Sequence, residues 1–278
     1  MNESKKPPIL SRDEISRYKR HLLVKEIGGQ GQQRLKAASV LIVGAGGLGS
    51  PLLIYLAAAG VGRIGIIDDD RVSVDNLQRQ IAYSTGDVGL PKAERAAALC
   101  RSLNPHVSVD AMPFRLTAEN ALSIISQYDV VADGSDNFRT RYLINDACFF
   151  ARKPLVFAAL GQLDGYLSTF RAYDKDAAGQ PLPNYRCLFP EPPPEGTMPN
   201  CEEAGVLGPV AGVLGTLQAV EVVKVVLGLP DTLIGRLLIY EALPARFQSI
   251  VLKWDPDNPL TGREPKIRDL SIHSRASG

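Results

Sequence analysis

Between Ser39 and Ala159, short apolar runs alternate with longer stretches that are apolar on one side only. The runs Ser39–Val43, Arg63–Asp68, Ser108–Met112, Val130–Asp133 and Leu155–Ala159 read as strands. Ser50–Ala59, Lys92–Leu103, Ala118–Ile125 and Arg139–Ala151 carry helical patterns between them. Alternation at this spacing predicts a parallel sheet with crossover helices, and right-handed crossovers wind it on both faces. Ahead of the first strand, residues 11–37 set Ile15, Tyr18, Leu22, Leu23 and Ile27 among charges, which predicts a helical segment.

From Gly165 the pattern changes. Gly165–Ala172 alternates like an exposed strand, and Arg236–Glu241 and Ser249–Lys253 resemble it. These predict antiparallel strands added at one end of the sheet. Residues 174–200 are dense in Pro and polar residues, including Pro192-Pro193-Pro194, and read as a long loop. Gly205–Leu227 reads as a small-residue stretch leading into a buried or interface helix. The expected fold is α/β: a Rossmann-like, doubly wound, mostly parallel sheet with helices on both faces and antiparallel strands at its C-terminal end. The chain divides into a helical segment (1–38), a nucleotide-binding domain (39–260) and a flexible polar tail (261–278).

Composition narrows the function little. A chain of 278 residues, 45% hydrophobic, can bury a sizeable core, and a formal net charge of +1 gives no reason to expect nucleic-acid binding. The first residues, MNESKKPPILSRDE, lack the apolar core of a secretory signal. The apolar stretches are interrupted by Gly, Pro or charge, so no membrane span is expected. Cys100, Cys148, Cys187 and Cys201 show no C-x-x-C spacing, which argues against a disulfide scaffold and fits a reducing cytoplasm.

Chemistry gathers between Val40 and Lys92. VLIVGAGGLGSP places Gly44, Gly46, Gly47 and Gly49 between a strand and a helix, where backbone N–H groups donate to phosphate oxygens. The same glycines would also serve as a tight junction in any fold of this type. The next apolar run ends in Asp68, placed to hold a ribose hydroxyl, although Asp69 and Asp70 follow at once. Asn76, Arg79 and Gln80 in NLQRQ, and Lys92 in GLPKAE, bring polar and cationic groups to a phosphate site. They read equally as a solvated turn, but beside the glycines they point to work on a triphosphate. VVADGSDN sets Asp133 and Asp136 at a strand's C-terminal end, where ligands bind in open α/β sheets. Asp136 is the expected Mg²⁺ ligand, with a helix N-cap as its alternative, and Asp133 is expected to be structural. His21, His106 and His273 share no motif and none reads as a general base.

The motifs RYKRHLL, GAGGLGS, DDDRVSVDNLQRQ, GLPKAE, DGSDNFRTRYLIN, YRCLFPE and NCEEAGVLGPVAGVLGTLQAVEVVK resemble the family that adenylates the C-terminus of ubiquitin-like proteins. Their order and spacing look most like its molybdopterin-synthase branch. The resemblance implies an ATP-dependent adenylyltransferase in which Gly44 to Gly49 line the phosphates, Asp68 holds the ribose, and Asn76, Arg79 and Lys92 contact the phosphates. Asp136 would hold Mg²⁺, and Arg20 would reach the ATP of the partner subunit in a homodimer. The acceptor would be the Gly-Gly C-terminus of a small β-grasp sulfur-carrier protein, and a separate sulfur donor would convert its adenylate to a thiocarboxylate.

Two departures stand out. Many relatives hold zinc between two C-x-x-C pairs, but here the first pair reads NYRC, with Asn184 in place of a Cys, and NPLTGREP has none. Four-thiolate zinc is excluded, and the assembly would be held by packing instead. Cys201 in NCEEAG occupies a position where some relatives have a reactive thiol, with an inert loop thiol as the alternative. Rival readings are the thiamine-pathway carrier or several carriers, a nicotinamide-dependent dehydrogenase, which leaves Arg79, Lys92 and Asp136 unexplained, and a non-catalytic scaffold.

Overall fold

The computed structural model describes residues 8–192 and 205–274. Ahead of the sheet lie α1 (Arg12–Arg17), α2 (Lys19–Leu22) and α3 (Gly28–Ala37). Strands β1 (Ser39–Val43), β2 (Arg63–Ile67), β3 (Ser108–Met112), β4 (Val130–Asp133) and β5 (Leu155–Leu160) pair in parallel. β6 (Asp164–Phe170), β7 (Arg236–Glu241) and β8 (Arg246–Val251) extend the sheet antiparallel. Among the described residues the order is β3-β2-β1-β4-β5-β6-β7-β8.

Period-two alternation splits each central strand between two cores. Val40 and Ile42 of β1 face one side, packed against α4 (Gly49–Ala59), α5 (Lys92–Leu103) and α9 (Gly208–Leu227). Leu41 and Val43 face the other, against α6 (Ala121–Ile125) and α7 (Phe138–Ala151). The doubly wound sheet and its antiparallel extension are therefore as the pattern predicts. Helix α9 has the length and apolarity of a membrane span. It packs against α3, α4 and the sheet instead, and its buried Gln218 donates to the backbone oxygens of Asp133 (2.8 Å) and Val156 (3.0 Å).

The departures from pattern have local causes. α6 starts at Ala121, not Ala118, because a turn closed by the Thr117 N–H donating to Asn120 Oδ1 (2.8 Å) precedes it. β8 starts at Arg246, not Ser249, because the chain reverses at Ala242–Ala245. Arg246, Phe247 and Gln248 lie on the exposed edge strand, where no buried face imposes a pattern. The Pro-rich stretch contains a short helix, α8 (Tyr185–Leu188), capped by Asn184, and its residues 193–200 lie outside the described ones.

Two polar clusters fasten the C-terminal segments. Asn184 donates to Thr261 Oγ1 (3.1 Å), and Asn258 donates to Asn184 Oδ1 (3.2 Å) and Cys187 Sγ (3.1 Å). Asn258 Oδ1 in turn accepts from the N–H groups of Leu260 and Thr261. One thiol, two amides and a hydroxyl do not suit zinc. Hydrogen bonds hold this junction, where packing in place of zinc was expected. In the second cluster, Asp146 on α7 accepts two bonds from Arg186, both 2.8 Å, and a third from His273 Nε2 at 2.8 Å. His273 ends a 3₁₀ turn, Leu270–His273, whose Leu270 is buried against α7. A flexible tail therefore does not describe residues 261–274: its polar composition hid a docked segment.

Candidate functional site

A cavity of about 580 Å³ opens at the C-terminal ends of β1, β2 and β4. Its floor is the β1–α4 turn. Gly44 has φ +91°, and a Cβ there would lie 2.7 Å from the Gly134 oxygen, so no other residue fits without displacement. Gly46, Gly47 and Leu48 line the cavity, and no side chain caps α4. The amides of the turn ahead of it, at Gly46 and Gly47, are the ones available to an anion, with the helix dipole behind them; within α4 the Ser50 N–H donates to the Gly46 oxygen (2.9 Å) and Pro51 has no N–H. Both sides of the turn are anchored: the Ala45 N–H donates to Asp68 Oδ2 (2.7 Å), and the buried Tyr83 hydroxyl donates to the Ala45 oxygen (2.8 Å).

Asp68 follows the last residue of β2, and its Oδ1 also accepts from the Asp70 N–H (2.9 Å). Burial pushes its carboxyl above the usual range, which the Ala45 N–H and the charge of Lys92 offset only in part. Each oxygen keeps a second lone pair. The neighbouring carboxylates are engaged elsewhere: Asp69 pairs with Arg115 and Asp70 with Lys92, each at 3.0 Å. The Lys92 side chain is only 5% exposed, so its stem is buried and its ammonium ends at the cavity wall. Arg79, half-buried, holds its guanidinium by donating to the Asp75 oxygen (3.0 Å) and lines the same wall.

Across the cavity, β4 ends in Asp133, fully buried. Its Oδ1 accepts from the Ser135 N–H (2.9 Å) and hydroxyl (2.6 Å), while Oδ2 has no partner. Burial pushes this carboxyl up, and the nearby Arg141 and the Ser135 bonds only partly oppose it. Asp136 stands three residues on, exposed and on the cavity wall. The cap of α7 is Asn137, whose side chain accepts from the Thr140 N–H at 2.9 Å. The Asp136 carboxylate is thereby spared from capping. A single exposed carboxylate suits Mg²⁺, which takes one or two carboxylates and completes its shell from phosphate and water oxygens.

Gly44, Gly46, Gly47, Asp68, Arg79, Lys92 and Asp136 thus meet at one cavity. Three expected residues do not. Gly49 lies in α4, where a Cβ would strike the Gly44 oxygen; its task is close helix–turn packing. Asn76, the last residue of a 3₁₀ turn, is buried and does not line the cavity. Arg20, on α2, is exposed and away from the cavity of its own chain. Cys201 lies outside the described residues. Gln80 and Asp70, named beside Arg79 and Asp68 in the sequence, also line the wall. Sequence reasoning missed Arg115, Arg139, Arg141 and His273 as wall residues, and for His273 there was no usable signal.

Comparison with known proteins decides the family. The ThiF family model matches residues 18–260. The chain belongs to the ThiF family. It is 51% identical over 260 residues to the sulfur carrier protein adenylyltransferase of Thermus thermophilus, covering 94% of this chain and 95% of that one. The SAMP-activating enzyme E1 of Haloferax volcanii is 45% identical over 253 residues, 91% of each chain. The probable adenylyltransferase/sulfurtransferase MoeZ of Mycobacterium tuberculosis is 46% identical over 269 residues, and the chain spans 66% of its length. The fold matches the crystal structure of E. coli MccB with ATP, with a TM-score of 0.75, 22% identity, and coverage of 94% of this chain and 75% of that one. This ThiF-family chain is an adenylyltransferase.

Proposed function

We propose that this adenylyltransferase uses ATP to activate the C-terminal Gly-Gly carboxylate of a small, ubiquitin-like β-grasp sulfur-carrier protein, the small subunit of molybdopterin synthase being the expected carrier. The observation that carries the reading is the convergence of an uncapped glycine turn, Asp68, Arg79, Lys92 and Asp136 on one cavity. Relatives named for sulfur-carrier and SAMP activation support the acceptor class.

In this reading the turn amides hold the phosphates and Asp68 accepts from the ribose. An ionised carboxylate is already a nucleophile, so no general base is required. Its oxygen bonds to the α-phosphorus as the bond to the bridging oxygen breaks, and pyrophosphate leaves. Arg79 and Lys92 neutralise the charge that grows on the leaving group. Asp136 would hold Mg²⁺, which supplies a Lewis acid at the phosphate oxygens. A separate sulfur donor then acts on the carrier adenylate, in a reducing cytoplasm.

Arg20 completes the account as a trans residue in a homodimer. Separately prepared Arg20→Ala and Asp136→Ala chains should each be nearly inactive, and activity should return when the two exchange subunits. Demonstrated exchange without recovery refutes the trans role. The reading as a whole is tested by exchange of labelled pyrophosphate into ATP, with Mg²⁺ and a panel of carriers. Exchange with the molybdopterin-synthase carrier is expected; exchange only with the thiamine-pathway carrier reassigns the acceptor, and none with any Gly-Gly carrier sinks the proposal.

A further inference from the structure

The cavity walls differ in chemistry. Strand order sets the glycine turn on β1 and Asp68 after β2, and next outward comes β3, followed by Phe114 and Leu116. Phe114 is 44% exposed and Leu116 is buried, and both line the cavity with Leu143 of α7. An aromatic and aliphatic wall beyond the ribose position suits a planar base.

The C-terminal segment borders this part of the cavity. His273 and Ser274 line it, and three hydrogen bonds tie the segment to α7 and to the turn ahead of α6. His273 Nε2 donates to Asp146 Oδ2 (2.8 Å), Arg139 donates to the His273 oxygen (3.4 Å), and the Ser274 hydroxyl donates to Glu119 Oε1 (3.0 Å). Arg186 grips the other side of Asp146, so the ring is held against a fixed carboxylate. That carboxylate can only accept, which places the proton on His273 Nε2.

We infer that Leu270–Ser274 is the nucleobase-side wall of the cavity, with His273 and Ser274 as positioning residues for the base. The inference rests on the ATP reading above. It makes a C-terminal segment, rather than the sheet alone, part of the nucleotide site.

The test separates the base from the phosphates. Two variants are compared with the wild type: a chain ending at Asp269, and a full-length His273→Ala/Ser274→Ala chain that keeps Leu270 in the core. Binding of ATP and of inorganic triphosphate is measured by calorimetry. Loss of the wall should weaken ATP binding about tenfold, the scale of one or two lost contacts, and leave triphosphate binding unchanged. KM for ATP should rise in pyrophosphate exchange while kcat holds, and His273→Gln, which retains a donor toward Asp146, should recover most of the affinity. If the truncated chain does not fold, the double variant decides. Equal loss for both ligands, or no loss for either, overturns the wall while leaving adenylation standing. A wild-type chain that binds no ATP overturns both.

Discussion

Asp133 and Asp146 are both fully buried at 0% exposure, yet their carboxyls move in opposite directions. Burial pushes each one up. At Asp146 the bidentate Arg186 and His273 more than offset it, and the group sits below the ordinary range. At Asp133 the hydrogen bonds come from Ser135 alone, one oxygen has no partner, and the group stays above that range. Among the cavity-lining residues, Gln80 Oε1 and Arg141 Nε are also buried without partners, as are Ser50 Oγ, Asn76 Oδ1, Arg171 Nε and Gln218 Oε1 away from the lining. The Asn184–Asn258–Thr261 junction, by contrast, satisfies its amides with one another and with backbone. Each unpaired buried group costs roughly 1–3 kcal/mol. Of the two carboxylates, Asp146, which fastens the chain, is paired on both oxygens, while Asp133, at the end of β4 next to the cavity-lining Gly134 and Ser135, keeps one oxygen unspent.

Breaking the paired side should have the largest effect. Arg186→Ala leaves Asp146 buried without its guanidinium and should cost about 3–5 kcal/mol of stability, a fall of roughly 10 °C in Tm. A melt within two degrees of wild type would show that Asp146 is not held as described. On the unspent side the loss should fall on rate. Asp136→Ala should keep its Tm and lose pyrophosphate exchange a hundredfold or more, about 3–4 kcal/mol. Asp133→Ala should lower stability by about 1–3 kcal/mol and keep exchanging. Normal turnover in the first with a folded, dead second would move the metal to Asp133.

The smallest effect is in pH dependence, where the two carboxylates should carry opposite signs. A lowered folded value means that the Asp146 contribution is complete above the unfolded pKa of about 3.9 and is lost as pH falls through the folded value. A raised value means that the Asp133 contribution is present below about pH 3.9 and is lost as pH climbs through its folded value. The stability gap between wild type and Asp146→Asn should therefore shrink in acid, and the gap to Asp133→Asn should shift in favour of wild type. Parallel pH profiles for both variants would erase the distinction.

The nucleotide half of the fold was legible because its signals are local. Apolar runs bounded by turns gave β1 to β5 to within a residue, and the glycine turn, Asp68 and Asp136 follow β1, β2 and β4 within a few positions. What pattern did not reveal depends on polar pairs far apart in sequence. Asn184 meets Asn258 across 74 positions and Asp146 meets His273 across 127, in segments whose composition resembles open loop. Periodicity registers a buried apolar face and has no register for a hydrogen bond between distant amides. Asn76 and Gly49 stand apart from the cavity lining for a related reason: motif spacing fixes their neighbourhood, and only backbone geometry shows which residues reach the wall.

The central claim is that the cavity transfers AMP to a carrier carboxylate. Its most direct test follows the label: the chain, Mg²⁺ and a Gly-Gly carrier are incubated with ATP labelled at the α-phosphate or at the γ-phosphate, and the carrier is recovered under acid. Label from the α-phosphate should appear on the intact carrier and be absent from a carrier lacking its terminal glycine. No α-label on the carrier, or label arriving from the γ-phosphate, would contradict the account.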